Sequence, residues 1–282
     1  MKVYRFIAID VDDTLIDSDL NITSDNKLRI KEVIERGKFI TLATGRMFRS
    51  ALPYAKELEM DLPLITYHGA LIKKAKTGEV LYHQPVPIDY TLQIIRLCHD
   101  KDLQLNLYID DELLVKEENE LTEYYTKIAE VPCRAVGDLE TYIKKYSDIA
   151  PTKLTIVANE DMVNRLNVEL EQFFGDDLLI TQSKSTFLEI THSEANKGNA
   201  VSFLAKKHGV SLENTLAIGD SLNDIPMVKK AGLGVAVANA RPQLKEVADT
   251  IVGSNEESGV AQALTRFVLS ESRREMNGTN RN

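Results

Sequence analysis

Runs of apolar residues near the two ends of the chain indicate strands that are buried on both faces of a parallel sheet. The segment "VYRFIAI" (3–9) is β-branched and aromatic with almost no polar interruption, as such strands are. An apolar stripe at helical spacing predicts a helix over 24–36, which Gly37 can end. The next strand is "KFITLAT" (38–44). A strand, a helix and a strand at this spacing indicate a right-handed βαβ unit.

The C-terminal part of the chain repeats this pattern. We predict helices over 197–209 and 224–232, and strands over 215–219, 234–238 and 250–252. Both ends of the chain are therefore expected to form one parallel α/β core.

The middle of the chain has a different pattern, in which apolar and polar residues alternate along the strands. Examples are "QLNLYID" (104–110), "KLTIVAN" (153–159) and "FLEIT" (187–191). Such alternation predicts an antiparallel sheet with helices on one face. The helices predicted in this part of the chain span 88–100, 118–130, 138–146 and 160–174.

These patterns predict an α/β fold in which a parallel-sheet core is interrupted by an inserted α+β domain. The core comprises residues 1–82 and 191–270, and the insertion comprises 83–190. Two prolines in "HQPVP" (83–87) mark the first crossing between them. The last residues, 271–282, are polar, and we expect them to be disordered.

Composition and charge argue against several classes of protein. Among the 282 residues, 34 Lys and Arg stand against 43 Asp and Glu, which leaves a net charge of −9 without a sustained basic block. Nucleic acids and anionic membrane surfaces are therefore poor candidate partners. Cys98 and Cys133 are the only cysteines and have no His or Cys at metal-ligand spacing, which argues against a disulfide framework and a zinc site.

No segment has the apolar length that a membrane-spanning helix needs, and the apolar run at the N-terminus is too short for a signal peptide. We therefore expect a cytoplasmic protein. The sequence leaves its oligomeric state open.

Three aspartates in "DVDDT" (10–14) follow directly on the first strand. In parallel α/β sheets, ligands bind beyond the carboxyl ends of the strands. Residues two apart on an extended chain point the same way, so Asp10 and Asp12 can both face one pocket while Val11 packs away. Two close carboxylates need a cation, and Mg²⁺ is the natural candidate. Capping of a turn is the alternative, since Asp is common in turns.

Polar residues also follow the second strand and begin a later helix. Thr44 and Gly45 end a strand, where a hydroxyl and free N–H groups suit an anion, although a simple turn is the alternative. Lys197 lies in the first turn of a helix against the helix dipole, which indicates a nearby anion unless the side chain is merely solvated.

The segment "GDSLND" (219–224) provides a third such position. Asp220 ends a strand and would lie beside Asp10 if the two strands are neighbours, which would complete an oxygen-rich metal site. Asn223 and Asp224 start the next helix, where either residue can also act as a cap.

Taken together and in this order, "DVDDT" (10–14), Thr44, Lys197 and "GDSLND" (219–224) resemble the four signature motifs of the haloacid dehalogenase superfamily. With "ITYHGALI" (65–72), the chain is similar to the Cof-type sugar-phosphate phosphatase branch. The insertion lies between the second and third motifs, which is the position of the C2-type cap. The resemblance covers nearly the whole chain and implies a Rossmann-like parallel-sheet core with an inserted α+β C2-type cap.

The resemblance implies a Mg²⁺-dependent phosphatase of small phosphorylated metabolites. Asp10 would attack the substrate phosphorus and form an aspartyl-phosphate intermediate. Asp12 would protonate the leaving group and then take a proton from the hydrolytic water. The Asp10 carboxylate, the Asp12 backbone carbonyl and Asp220 would bind Mg²⁺. Asn223 and Asp224 would complete the metal or phosphate shell, directly or through water.

The resemblance also implies which residues bind substrate. Thr44 and Lys197 would hold the phosphoryl oxygens and offset the charge that builds up in the transition state. Gly45 and Asn223 would also bind substrate. The Arg46 guanidinium suits a phosphate or sugar oxygen, with a surface salt bridge as the alternative.

Two residues depart from the family pattern. Asp13 stands where glycine is common, and we expect it to make local hydrogen bonds and to take no part in catalysis. His68 stands where relatives usually carry Asn, either as a contact to substrate or cap or as a packed residue at a strand end.

Two other functions stay open at this point. A phosphomutase of the same architecture would return the phosphoryl group to a sugar hydroxyl instead of water. A phospho-ligand sensor would bind without turnover, although the intact motifs give that alternative little support.

Overall fold

The computed structural model of the protein describes residues 2–59, 61–129, 131–146 and 148–270. The predicted disordered tail, 271–282, lies outside the described residues. Among those residues, none of the helices combines the length and the apolar character needed to cross a membrane.

The chain divides into two compact units. Within the described residues, unit 1 takes in the chain as far as Arg46, Ala51–Leu81 and the part from Asn196 onward. Unit 2 comprises Met47–Ser50 and Tyr82–Ala195. The predicted insertion and unit 2 therefore share most of their residues, whereas Met47–Ser50 join unit 2 from an earlier part of the chain.

The regular elements are numbered here in chain order. The strands are β1 Phe6–Asp10, β2 Phe39–Ala43, β3 Pro63–Thr66, β4 Leu71–Lys74, β5 Val80–His83, β6 Gln104–Ile109, β7 Glu112–Val115, β8 Cys133–Ala135, β9 Lys153–Val157, β10 Leu178–Lys184, β11 Phe187–His192, β12 Thr215–Gly219, β13 Leu233–Ala236 and β14 Thr250–Ile251. The helices are α1 Ser24–Glu35, α2 Phe48–Glu57, α3 Ile88–Asp100, α4 Glu120–Ala129, α5 Leu139–Lys145, α6 Glu160–Phe174, α7 Lys197–Lys207, α8 Ile225–Lys230, α9 Pro242–Val247 and α10 Gly259–Leu264.

Unit 1 is built on an eight-stranded sheet in the order β14-β13-β12-β1-β2-β3-β4-β5. The first six strands of this order pair in parallel, and β4 is antiparallel to β3. Every residue of β1 and of β12 is buried, as expected for central strands of a sheet that is covered on both faces. The predicted α/β fold with a parallel sheet is thereby confirmed.

The helix after β1 shows how local sequence sets an element's limits. The Thr23 hydroxyl accepts a hydrogen bond from the backbone N–H of Asn26 and so caps the start of α1. Gly37, with a φ of 70°, follows its last turn. A left-handed backbone at this position favours glycine and ends the helix.

Unit 2 contains a six-stranded sheet in the order β10-β11-β9-β6-β7-β8. Apolar side chains on one face of this sheet pack with α3, α5 and α6 in a separate core, which includes Leu107, Ile156 and Leu166. The prediction of an antiparallel sheet is wrong for one pair, because β7 and β8 are parallel. The connection between these two strands contains α4, which returns the chain to the same end of the sheet, as parallel pairing requires.

The central strands of this sheet are buried on the opposite face as well, whereas the prediction covered one face only with helices. All residues of β6 and β9 are buried. On this second face Asn106 lies opposite Thr155, and the α4 residue Tyr125 packs its ring against Phe187. The alternation in the sequence therefore separates an apolar buried face from a polar buried face.

Candidate active site

The predicted site residues gather because β2, β1 and β12 are adjacent parallel strands. Asp10 is the last residue of β1 and pairs in register with Ala43 of β2. Thr44 follows β2 directly, and Asp220 follows β12 directly. The carboxyl ends of parallel strands lie at one edge of the sheet, so short motifs far apart in sequence meet there.

A cluster of three buried carboxylates forms the centre of the site. One oxygen each from Asp10, Asp220 and Asp224 lies within 4.8 Å of the others. The Lys197 Nζ donates to Asp10 Oδ1 at 2.5 Å and to Asp224 Oδ1 at 2.6 Å. Three carboxylates and one ammonium leave a formal charge of −2 in a largely buried space, which a divalent cation would neutralise.

Lys197 is the first residue of α7, and its side chain is fully buried. Burial by itself disfavours the ammonium form, but the charges of Asp10 and Asp224 outweigh burial and raise the Lys197 pKa. The expected anion near this lysine is therefore present in the chain itself, in the form of two carboxylates. A solvated surface position, the alternative for Lys197, is wrong.

Asp224 shapes the loop after β12 as well as the acid cluster. Its Oδ2 accepts hydrogen bonds from the backbone N–H groups of Asp220 and Ser221, both at 3.0 Å. Ser221 and Asp224 form a reciprocal capping box. This box belongs to the 3-10 turn Leu222–Asp224. Asp224 precedes α8 directly, but its side chain makes no capping hydrogen bond to that helix, so the prediction of a side-chain cap at the start of the helix is wrong for Asp224.

Burial and repulsion between carboxylates raise the pKa values of Asp10 and Asp220. Burial, followed by the nearby charge of Asp224, raises the pKa of Asp10 well above its usual value. The same two causes, in the same order, raise the pKa of Asp220 to about 6. The Thr14 hydroxyl donates to Asp220 Oδ1 at 3.3 Å, so the last residue of "DVDDT" also contacts the cluster.

The Asp12 carboxylate lies outside this cluster and is held by Arg46. The Arg46 Nε and a terminal guanidinium nitrogen donate to Asp12 Oδ1 at 3.0 and 2.7 Å. The Thr44 hydroxyl donates to Asp12 Oδ2 at 3.3 Å and accepts from the Arg46 backbone N–H at 3.1 Å. Arg46 also lies over the Tyr54 ring, 5.3 Å from its centroid. The salt-bridge alternative for Arg46 is therefore confirmed, with Asp12 as its partner.

Asn223 lies apart from the three carboxylates as well. Its side chain is exposed, and its Nδ2 lies 3.2 Å from His68 Nδ1. The His68 ring also occupies the space that a Cβ at Gly45 would need. The structure thus groups His68, Gly45 and Asn223 beside Thr44, a grouping that the motifs did not predict.

Backbone conformation explains both departures from the family pattern. Asp13 has a φ of 56° and His68 a φ of 58°, and Asp, Asn and His tolerate this left-handed region better than most residues. The Asp13 backbone carbonyl accepts a hydrogen bond from Asn239 Nδ2 at 2.7 Å. A sequence signal for a left-handed backbone was present at both positions, because the family usually places Gly at the position of Asp13 and Asn at the position of His68.

The donor set fits a hard divalent cation. Carboxylate oxygens from separate loops converge, and no His or Cys belongs to the cluster within the described part of the chain. Mg²⁺ prefers such oxygen ligands and uses one or two carboxylates together with water and substrate phosphate.

Comparison with known proteins agrees with this geometry. A family model described as haloacid dehalogenase-like hydrolase matches residues 7–264. The 5-amino-6-(5-phospho-D-ribitylamino)uracil phosphatase YcsE of Bacillus subtilis is 31% identical, over 94% of this chain and 96% of that protein. The HMP-PP phosphatase of Serratia proteamaculans is 25% identical, over 95% of this chain and 97% of that protein.

A solved structure supports the same assignment. The protein TM0651 from Thermotoga maritima superposes with a TM-score of 0.86 at 30% identity, over 94% of this chain and 97% of that one. The names of the relatives agree with the prediction of a phosphoric monoester hydrolase. The chain belongs to the haloacid dehalogenase-like hydrolase family.

Proposed function

We propose that the protein is a Mg²⁺-dependent phosphatase that hydrolyses small phosphorylated metabolites through an aspartyl-phosphate on Asp10. The observation that carries the proposal is the buried contact of Asp10 with Lys197 beside Asp220 and Asp224. Two of the similar proteins described above are named as phosphatases of small phosphorylated molecules.

Asp10 is suited to act as the nucleophile. Its carboxylate ends a buried central strand. Burial and Asp224 raise its pKa, and the Lys197 ammonium at 2.5 Å opposes that rise and so favours the ionised form that attack on phosphorus requires. After attack, the same ammonium would lie close to the phosphoryl oxygens and offset their charge. Thr44 and Gly45, which follow the adjacent strand, would contact the remaining phosphoryl oxygens.

Asp12 is suited to proton transfer. Its side chain is 45% exposed, so it can reach a leaving group that buried Asp10 does not face. It would protonate the leaving oxygen and then accept a proton from the water that attacks the aspartyl-phosphate. Arg46 and Thr44 hold this carboxylate in place.

The Asp10 and Asp220 carboxylates, with the backbone carbonyl of Asp12, would hold Mg²⁺, and Asp224 and Asn223 would complete its surroundings. The bound ion supplies positive charge that draws the phosphoryl group toward Asp10. Without such a cation, a dianionic phosphate would meet a site whose own formal charge is already −2.

The two units would have different roles in the reaction. We propose that unit 1 carries out the chemistry, because all the motif residues belong to it. Unit 2 would serve as the cap that selects the leaving group.

Phosphate release from a panel of sugar phosphates, nucleotides and an aryl phosphate in the presence of Mg²⁺ tests the proposal. Asp10→Asn is expected to lower turnover by about 10³-fold or more, as loss of a nucleophile does, with little change in melting temperature. The matched control is Asp176→Asn, the same change at an exposed position in unit 2. Retained activity in Asp10→Asn would reassign the nucleophile, and isomerised product without free phosphate would indicate a phosphomutase.

A further inference from the structure

A left-handed turn, Tyr67–Gly69, connects β3 to β4. The φ angles are 50° at Tyr67, 58° at His68 and 113° at Gly69. Two consecutive residues with side chains in this region cost on the order of 1–3 kcal/mol each and persist only where the surrounding structure enforces them. The surrounding structure therefore has to hold this turn, and several of its contacts are with the candidate active site.

Backbone hydrogen bonds tie the turn to the loop after β2. The His68 N–H donates to the Thr44 carbonyl, and the Tyr67 N–H donates to the Arg46 carbonyl, both at 3.0 Å. The turn thus contacts the Thr44–Arg46 loop, in which Thr44 and Gly45 are proposed to contact the phosphate. Tyr67, fully buried, anchors the turn in the core.

The same turn packs on the start of α7. A Cβ at Gly69 would collide with the backbone carbonyl of Asn196 and lie 3.0 Å from the backbone nitrogen of Lys197. Only glycine combines this close approach with the positive φ. The turn is thus in direct contact with the backbone that carries the buried lysine.

His68 extends these contacts to a third part of the site. Its ring lies against Gly45, where a Cβ would be 2.5 Å from Nε2. The Nδ1 atom of the ring lies 3.2 Å from Asn223 Nδ2 and is placed to accept a hydrogen bond from that amide. The imidazole therefore contacts both the Thr44–Arg46 loop and the loop after β12.

We propose that His68 is a positioning residue for phosphate binding. Its ring holds the Gly45 main chain and the Asn223 amide where both can contact one phosphate group. The inference rests on the proposed function, because it assigns His68 to the binding of the phosphate on which the reaction depends. A residue of this kind acts on substrate affinity more than on the chemical step.

The test compares variants that keep the left-handed turn. His68→Gly removes the ring at no conformational cost, and His68→Asn keeps a side chain that tolerates the turn and offers an acceptor to Asn223. The control is Leu20→Gly, the same type of replacement at an exposed residue with a φ of 63°. The measurements are kcat, KM for the best substrate of the panel, and the inhibition constant of inorganic phosphate with Mg²⁺.

For His68→Gly we expect KM and the inhibition constant of phosphate to rise together by about tenfold, which corresponds to the loss of one hydrogen bond. We expect kcat to stay within about threefold, His68→Asn to recover most of the affinity, and Leu20→Gly to match the wild type. Asn223→Ala breaks the same hydrogen bond from the exposed side, and its effect is expected to be less than additive with His68→Gly.

A lowered melting temperature with unchanged KM and unchanged phosphate inhibition would make His68 purely structural and overturn the inference. Full additivity of His68→Gly and Asn223→Ala would overturn it as well. These results require a wild type that turns over and binds phosphate. A wild type that does neither would instead overturn the proposed function, so the two failures are distinguishable.

Discussion

At the scale of single residues, Lys197 balances the charge of the candidate site. Its side chain is fully buried between Asp10 and Asp224, which are buried too. Burial of a charge is costly unless it is paired, and removal of one partner of a buried pair leaves the other uncompensated. The stability of unit 1 and the chemistry of the site therefore depend on the same ammonium group.

Lys197→Met is expected to lower the free energy of unfolding by about 3–5 kcal/mol at neutral pH, because it leaves three close carboxylates without their cation. The loss is expected to shrink at pH 5, where the acids whose pKa values are raised become protonated. Urea unfolding at pH 5 and pH 8 measures the difference, with Lys31→Met at an exposed position of α1 as the control. An equal loss at both pH values would show that the defect is one of packing and not of charge.

The positions of the key acids and of Lys197 were predictable, and their partners were only partly so. Asp220 was expected to lie beside Asp10 on the condition that the strands they end are neighbours, and β1 and β12 are indeed paired. The Asp12 ion pair with Arg46 was not expected, since side chains of neighbouring loops meet at angles that strand spacing does not define. The His68 contact with Asn223 joins residues 155 positions apart, and no local pattern marks it.

At the scale of elements, the best predictions were long helices with a continuous apolar stripe. The helices predicted over 88–100 and 160–174 match α3 and α6, and Asn159 caps α6 by accepting a hydrogen bond from the Met162 N–H. The short strands β7 and β8 were not predicted. With four and three residues respectively, they are too short to show a period. They form by pairing, β7 with the edge of β6 and β8 with the edge of β7.

The polar second face of the unit 2 sheet contains an ion pair that links neighbouring strands. Lys153 on β9 donates to Glu189 on β11 at 3.1 Å, and both residues are buried. Lys153 also lies over the Tyr108 ring on β6, 4.7 Å from its centroid. Burial by itself lowers the Lys153 pKa, but the charge of Glu189, the nearby Tyr125 and the hydrogen bond to Glu189 together raise it above its usual value.

Glu189→Leu alone is expected to destabilise the protein by about 3–5 kcal/mol, because Lys153 would be left charged and unpaired. The double variant Glu189→Leu, Lys153→Met is expected to cost less than the single one, since both charges are removed together. Denaturant unfolding of the two single variants and the double variant measures the coupling. Additive losses would show that the pair is not coupled and that the two residues contribute through packing alone.

At the scale of the whole molecule, the clustered acids of the candidate site lower the free energy of unfolding of the cation-free protein at neutral pH. The folded-state pKa of Asp220, about 6, lies above its usual value of 3.8. The folded protein therefore holds this proton more tightly than the unfolded chain does, and protonation of Asp220 stabilises the fold. That stabilisation is present at low pH and is lost as the pH rises from about 4 to about 6. At neutral pH the cation-free protein consequently carries the cost of its clustered acids.

A bound divalent cation should remove this destabilisation. We therefore expect that added Mg²⁺ and the replacement of one clustered acid both raise the stability of the protein, and that the second change affects the response to the first. Mg²⁺ at about 100 times its dissociation constant should add about 2.7 kcal/mol and raise the melting temperature by about 5 °C or more.

Asp220→Asn keeps an oxygen for the Thr14 hydroxyl but removes one of the three charges. In EDTA its melting temperature should therefore be higher than that of the wild type, with a free energy of unfolding that is larger by about 0.5–2 kcal/mol. It should also lose the Mg²⁺ response together with activity. Thermal unfolding in EDTA and in Mg²⁺ at pH 7.5 measures both effects, and Asp176→Asn should behave like the wild type in each. An unchanged Mg²⁺ response in Asp220→Asn would place the cation elsewhere, because a site that lacks one of its carboxylate ligands cannot retain the affinity of the complete one.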